Sequence, residues 1–329
     1  QGTRDAVNRL LVLGATSVAD RLLKELAAHN PEYTVLGYVD DRPPEQHAPT
    51  NGFHVLGTTG NLQEIVKTNQ AGTLLVALED RRGQFPMEAI LGCKLRGVRV
   101  EDWPPFYERL MGKIFIRNLR PSWLIFSDGF RRTRLTRLFK RCIDLGASAV
   151  LLLLGMPVFL AVAALIKLDS RGPVFFRQER VGEGGRTFNV IKYRSMREDA
   201  EKLTGPVWAV EEDPRVTRIG RWLRKTRLDE FPQIINVLRG EMSFIGPRPE
   251  RPCFVAQLQE KIPYYSYRHT VKPGITGWAQ VRYRYGATIE DAEEKLQYDL
   301  YYIKHLGAIF DLRILLATIR VVLFGKGAR

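Results

Sequence analysis

The stretch that decides the architecture is LGASAVLLLLGMPVFLAVAALI, residues 145–166, which runs for 22 residues without a charge. At about 1.5 Å of rise per residue it is long enough to cross a bilayer core of about 30 Å. Gly155 and Pro157 fall at its middle. Proline lacks a backbone donor and crowds the preceding turn, so a break or sharp kink is expected there. Each half then reaches only about 15–18 Å, too short to cross. Cations flank both ends: Arg131, Arg132, Arg134, Arg137, Lys140 and Arg141 before the run, and Lys167, Arg171, Arg177 and Arg180 after it. Basic flanks favour the cytoplasmic side of a membrane, and here both flanks make the same demand. A re-entrant helix over about residues 142–168, broken at Pro157 and returning to the face it entered from, meets both. A straight span and a buried core helix are the weaker alternatives.

Upstream of this run the pattern changes to α/β. RLLVLGATSVADRLLKEL reads as a short apolar strand at Leu10 to Leu13, a turn at Gly14 and an amphipathic helix from about Ser17 to Ala28. YTVLGYVDD gives a second strand ending at Asp40 and Asp41, VLGTTGNLQEIVK a turn and helix, GTLLVAL a third strand and GVRVEDW a fourth. Strands separated by helix-length segments imply a parallel, Rossmann-like sheet. A nucleotide at the first turn with Asp40 on its ribose is the tempting reading. However, Gly14-Ala15-Thr16-Ser17 supplies only the first glycine of a dinucleotide fingerprint, so a regulatory or scaffold role, CoA-binding-like in type, is preferred. The domains are therefore drawn as 1–126, Rossmann-like, and 127–329, mainly α and membrane-associated.

Charge follows the same division. Residues 1–126 carry 15 Lys and Arg against 14 Asp and Glu, whereas residues 127–329 carry 35 against 22. The basic part calls for anionic partners. Cys93, Cys142 and Cys253 lack metal-ligand spacing and are odd in number, which indicates a reduced compartment without a disulfide framework. The chain begins at Gln1 rather than Met, which reads as a fragment or a processed chain. A nucleic-acid binder is suggested by the basic balance, but its bases would alternate with stacking aromatics, and here many flank the apolar run. The C-terminal FDLRILLATIRVVLFGKGAR is either an interfacial helix or a core helix.

Within the basic part, RKTRLDEFPQ (224–233) sets Asp229 beside Glu230. Neighbours on a helix point about 100° apart, so the two acids cannot face one atom as a pair; they can divide two tasks, one on a substrate and one on a metal. Pro232 places them near a helix end or bend. His269 and His305 have no nearby nucleophile or metal-spaced partner and read as structural.

From about Arg137 to Phe324 the chain resembles the bacterial sugar transferase family, the monotopic polyprenyl-phosphate glycosyl-1-phosphate transferases or phosphoglycosyl transferases. The segments that carry the resemblance are GPVFFRQERVG, FNVIKYRSM, DPRVTRIGRWLRKTRLDEFPQIINVLRGEMSFIGPRPE, KPGITGWAQV and DLYYIKHLGAIFDLRILLATI. A Rossmann-like part before them is similar to the large members that start exopolysaccharide or O-antigen repeat units, which usually carry transmembrane helices further upstream. The resemblance implies transfer of sugar-1-phosphate from a UDP-sugar to polyprenyl (undecaprenyl) phosphate with release of UMP, at the cytoplasmic face of the bacterial inner membrane. It implies Asp229 as the nucleophile of a covalent aspartyl-phosphosugar intermediate, and Glu230 as a ligand of Mg²⁺. Arg224, Arg248 and Arg284 are implied as phosphate or nucleotide contacts. Lys192 and Arg194 either shape the anionic site or form a structural ion pair. One departure is Met156, where the family commonly has a Ser before the helix-breaking proline. A homodimer through the Rossmann-like domain is a further expectation, and a non-catalytic membrane scaffold that senses a nucleotide is the competing function.

Overall fold

The computed structural model describes residues 8–30, 32–47, 52–78, 85–117, 126–130, 133–197, 214–283, 286 and 288–324. The chain forms two compact units, Gln1–Asn118 and Leu119–Arg329.

The first unit is built on an all-parallel sheet. Strand β1 (Arg9–Leu13) lies between β2 (Thr34–Val39) and β4 (Thr73–Val76); β3 (Val55–Gly57) and β5 (Arg99–Asp102) form the edges, giving the order β3-β2-β1-β4-β5. Central parallel strands are covered on both faces and so read as unbroken apolar runs, which is why LLVL and TLLV are legible as strands. The sequence predicts a turn where the edge strand β3 lies, because three residues are too few to show a period. Helices α1 (Ser17–His29) and α4 (Trp103–Met111) cover one face through Leu22, Leu23, Leu26, Phe106 and Tyr107. Helices α2 (Leu62–Thr68) and α3 (Met87–Leu95) cover the other through Leu62, Ile65, Ile90 and Cys93.

The second unit is organised by one long helix, α5 (Arg134–Asp169), whose 36 residues give about 54 Å measured along its axis. Thr133 caps its start, its hydroxyl accepting from the Thr136 amide at 3.1 Å. The helix therefore begins eight residues before the predicted start, taking in the amphipathic RLTRLFKR turns. It also does not end at Pro157, where the sequence predicted a break; helical geometry continues through that residue. Proline removes a single bond, the one its nitrogen would give to the Leu153 carbonyl. The turns on both sides are held by their own packing, with Gly155 against the Phe231 ring and Phe159, Val162 and Ile166 in one apolar cluster.

Only one stripe of α5 is covered by protein. Asp144, Ser148, Val162 and Ile166 are buried, while Val150, Leu153, Leu154, Val158, Leu160 and Leu165 lie exposed. Around the buried stripe stand the hairpin β6 (Phe175–Val181) and β7 (Thr187–Tyr193), helix α6 (Arg218–Thr226), the 3₁₀ turn Leu228–Gln233 and α7 (Ile234–Arg239). Strand β8 (Ser243–Ile245) follows and pairs in parallel with β9 (Gly274–Thr276). Between and after them come α8 (Pro252–Lys261), a 3₁₀ turn Tyr265–Thr270, α9 (Trp278–Arg282), α10 (Ile289–Lys304) and α11 (Ala308–Phe324). Trp278 packs: it stacks near Tyr301, meets Phe310 edge-on and carries the Arg282 guanidinium 4.6 Å above its ring. Helix α11 is covered on one side: Ile314 is fully buried while Ile309, Leu312, Leu315, Leu316 and Ile319 are exposed.

The β8–β9 pair leaves no room for side chains at its end. The Gly246 amide donates to the Thr276 carbonyl and the Gly274 amide to the Pro247 carbonyl, both at 2.9 Å, so a Cβ on Gly274 would run into the Gly246 backbone. Backbone cannot give way as a flexible side-chain end can. Gly274→Ala is expected to lower the thermal unfolding midpoint in detergent, at a cost of about 1–3 kcal/mol. Gly146→Ala, whose added methyl meets nothing within 4 Å on α5, is expected to leave the midpoint unchanged or raise it.

Candidate active site

The acids lie where one helix stops. Helix α6 ends at Arg227, which holds a left-handed conformation (φ 60°, ψ 11°) and turns the chain into the 3₁₀ segment Leu228–Gln233. A non-glycine residue in this region is uncommon, so the backbone of Arg227 matters here more than its exposed charge. Pro232 sits inside the following turn. Phe231, between the acids and the proline, contacts Gly155 at the middle of α5, so the turn rests directly on the long helix. Any larger residue than glycine at 155 would push this ring away.

The two carboxylates face different surroundings. Glu230 is buried, and its Oε1 accepts from Lys192 Nζ on β7 at 3.1 Å and from Arg248 Nη2 on the loop after β8 at 2.8 Å. Burial opposes its charge, but the Arg248 and Lys192 cations outweigh it and hold the carboxyl well below the usual range. Lys192 is pushed down by burial, then pulled back by Glu230 and pushed down again by Arg248. Asp229 is half-buried and makes no hydrogen bond to a described residue. Burial raises its pKa; Lys192 opposes that, the charge of Glu230 adds to it, and Arg224 and Arg248 oppose it. The structure thus brings Lys192, Arg224, Asp229, Glu230 and Arg248 into one cluster.

Arg224 donates Nε to the Ser195 hydroxyl at 3.0 Å, which fixes it between α6 and the end of the β7 segment. Arg194 points elsewhere: its Nη2 bonds the carbonyl and hydroxyl of Ser170 at 2.8 and 2.9 Å, closing the C-terminus of α5. Arg284 lies outside the described residues.

Among the described residues no group of three or more His, Cys, Asp or Glu side chains forms a cage for a metal ion. Two adjacent carboxylates do suit Mg²⁺, which is commonly bound through one or two carboxylates while substrate phosphates and waters complete its shell. Both cations on Glu230 sit on Oε1. Its Oε2 and the Asp229 carboxylate are the oxygens that would meet such an ion.

Sequence reading missed the residues that hold the site from behind. Arg268, Asp299 and Tyr265 are all buried, with Arg268 donating to the Arg248 carbonyl at 2.9 Å. Asp144 on α5 accepts from the Ser243 hydroxyl at 3.0 Å and the Phe244 amide at 3.1 Å, tying the long helix to β8. An acid one residue before a long uncharged run was the available signal for Asp144. In the first unit Asp40 is not left open for a ribose: it accepts from the Ala15 amide at 2.6 Å and pairs with Arg42 at 2.7 Å. Arg42 in turn donates to the Ala15 carbonyl at 3.1 Å, so the first turn is closed by the protein's own groups.

Comparison with known proteins adds three relatives and a family. The bacterial sugar transferase family matches residues 135–325. A UDP-N-acetylgalactosamine-undecaprenyl-phosphate N-acetylgalactosaminephosphotransferase from Aeromonas hydrophila is 44% identical over 237 residues, covering 72% of this chain and 55% of the relative. UDP-glucose:undecaprenyl-phosphate glucose-1-phosphate transferases from Escherichia coli K12 and Xanthomonas campestris pv. campestris are 44% identical over 327 residues and 46% over 288. These alignments cover 94% and 84% of this chain, and 67% and 58% of the relatives. The chain therefore spans about half to two thirds of the length of these relatives.

The charge arrangement predicts a pH response. A carboxyl held low in the folded state contributes stability that is fully present above its unfolded value, about 4.3 for Glu, and is lost progressively as pH falls from there to the lower folded value. Glu230 should therefore keep contributing as pH drops through 4. In Arg248→Ala one of its two cations is gone, the folded pKa rises, and this contribution is expected to fade already in the ordinary glutamate range. The difference in unfolding midpoint between the two proteins, followed from pH 7 to pH 3, reads this directly; a difference that stays constant with pH would contradict it.

Proposed function

This chain belongs to the bacterial sugar transferase family, and from that premise we propose that it transfers sugar-1-phosphate from a UDP-sugar to undecaprenyl phosphate and releases UMP. The observation that carries the reading is a half-buried carboxylate, Asp229, without a hydrogen-bonded partner among the described residues, set among Lys192, Arg224 and Arg248 on a turn that rests on an apolar helix. Both substrates are anionic, and breaking a pyrophosphate requires positive charge placed in advance where negative charge develops.

In the proposed reaction a carboxylate oxygen of Asp229 bonds the phosphorus that carries the sugar. The bond from that phosphorus to the bridging oxygen breaks, and UMP departs with the electron pair. An oxygen of undecaprenyl phosphate then attacks the same phosphorus, the aspartyl bond breaks, and the carboxylate is restored. Two easier displacements replace one difficult one. Arg224 and Arg248 hold the phosphates, and Lys192 keeps the field around the acids positive. Mg²⁺, bound through Glu230, would neutralise pyrophosphate charge.

Placement at a membrane supports the same reading. Helix α5 is attached to one compact unit along its whole length: Lys140 pairs with Asp311 at 2.6 Å near one end, Tyr193 donates to the Phe159 carbonyl at 2.7 Å beyond the middle, and Arg194 closes the other end. Contacts from one unit at both ends of α5 and near its middle favour a helix that returns to the face it entered from over one that carries its ends to opposite sides of a bilayer. We propose that α5 dips into the cytoplasmic leaflet of the inner membrane and returns, bending at Pro157, with its exposed Leu and Val side chains in lipid. The exposed face of α11 lies against the same interface. The lipid phosphate is then presented to Asp229 at the level of the headgroups. The first unit, Gln1–Asn118, acts as a Rossmann-like scaffold, and the intact protein as an initiator of exopolysaccharide or O-antigen assembly.

The test is nucleotide release from a panel of UDP-sugars with undecaprenyl phosphate and Mg²⁺ in lipid discs, for the chain and for Asp229→Asn. UMP from one or a few donors, abolished by the substitution, is the expected outcome. The relatives differ in sugar, glucose in two and N-acetylgalactosamine in one, so both donors belong in the panel. Release of UDP, or UMP formation that survives Asp229→Asn, would overturn the mechanism.

A further inference from the structure

Arg248 stands between two prolines, Pro247 and Pro249, so neither neighbour offers a backbone N–H to hold this loop. The loop is held by its carbonyls instead. The Pro247 carbonyl accepts from the Gly274 amide at 2.9 Å, the Arg248 carbonyl from Arg268 Nη2 at 2.9 Å, and the Pro249 carbonyl from Arg180 Nη1 at 3.0 Å. Three consecutive carbonyls are thus fixed by three different elements.

The middle bond, on Arg248 itself, comes from a charged group taken out of water. Arg268 is 6% exposed, gives Nη1 to the Tyr265 hydroxyl at 2.6 Å and lies 2.9 Å from Asp299 Oδ2 on α10. Asp299 is 2% exposed. A buried ion pair of this kind is weak evidence for stability, because apolar side chains of similar volume often serve as well. What apolar side chains cannot supply is a strong, directed donor to a carbonyl that has lost its usual partners. The opposite end of Arg248 meets Glu230 at 2.8 Å, so the position of its backbone sets where its guanidinium can reach.

We infer that Arg268, neutralised by Asp299, is a positioning residue for Arg248: it fixes the Pro247–Pro249 backbone so that the Arg248 guanidinium is delivered to Glu230 and to the anionic substrate. Arg268 acts only through Arg248. The inference rests on the proposed role of Arg248 in the transfer reaction, and it carries a structural consequence that does not depend on that role.

The experiment is a double-mutant cycle in the UMP-release assay, using the full chain in lipid discs with Arg268→Gln, Arg248→Ala and the two combined. A misplacement of about 1 Å at a reacting centre costs about 10²-fold, and a loss of that order in kcat/KM is expected for Arg268→Gln. Added to Arg248→Ala, the same substitution is expected to cost little more, since there is no guanidinium left to position. Arg268→Lys keeps the charge but reaches fewer acceptors, so it should recover part of the loss, and it carries the cycle if the Gln variant does not fold. Equal costs in the two backgrounds would overturn the inference. Should the parent chain release no UMP from any donor, the proposed function fails and the inference is read from the structure of Arg268→Gln or Arg268→Lys. An Arg248–Glu230 separation beyond hydrogen-bond reach then supports it, and an unchanged contact refutes it.

Discussion

A carboxylate in a protein interior must be paired, and Glu230 is paired twice on one oxygen. That requirement draws together parts of the chain that are far apart in sequence: Lys192 from β7, Arg248 from the loop beyond β8, and the 3₁₀ turn that carries the acid itself. Removing one partner from such a cluster leaves charge uncompensated, which is among the costliest changes a folded protein can suffer. The hairpin β6–β7, the β8–β9 pair and the turn between α6 and α7 are therefore not independent. Each is held where a charge on another element needs it.

The long helix gives this cluster its place. Polar contacts sit on the buried stripe of α5 as well as apolar ones: Asp144 receives two donors from β8, and Arg141 donates to the carbonyls of Val237 and Leu238 at the end of α7. Polar bonds of this kind have directions, so they fix rotation and depth in a way that apolar contact alone does not. Gly155 then lets the Phe231 ring approach the helix, and Phe231 is next to Glu230 in the chain. The distance from the exposed apolar side of α5 to the acids is consequently a fixed dimension of the fold, and the proposed reaction on a lipid phosphate requires such a dimension.

Much of this was legible in the sequence because it is local. An uncharged run of 22 residues, alternating strand and helix patterns, and adjacent acids among bases are read along the chain without knowing what lies across from them. The parallel strands show as continuous apolar runs for the same reason. What escaped is what depends on partners distant in sequence. Arg268 and Asp299 look like ordinary charges in a polar-aromatic stretch until folding buries them together, with Arg268 on the Arg248 carbonyl. Arg194 and Lys192 are two residues apart on one strand segment, yet one closes the end of α5 and the other meets Glu230. Pro157 predicts a break because the local penalty is real, but tertiary packing on both sides of it carries helical geometry through.

The adjacency of Asp229 and Glu230 has a physical explanation in these surroundings. If both acids faced the same cations, both would be held ionised and both would be occupied. Of the two, only Glu230 accepts charged donors from the described residues, both of them on Oε1. It is therefore committed to charge, and to fixing Lys192 and Arg248. Asp229 shares the positive field without being bonded by it, and burial lifts its pKa while its neighbour's charge lifts it further. In the proposed reaction Asp229 is thus the acid left to bond an electrophile that brings its own charge compensation. Separating the pKa values of two titratable neighbours is a general way of giving them different tasks. Here adjacent positions are enough to do it, because Glu230 accepts from both Lys192 and Arg248 while Asp229, among the described residues, accepts from neither.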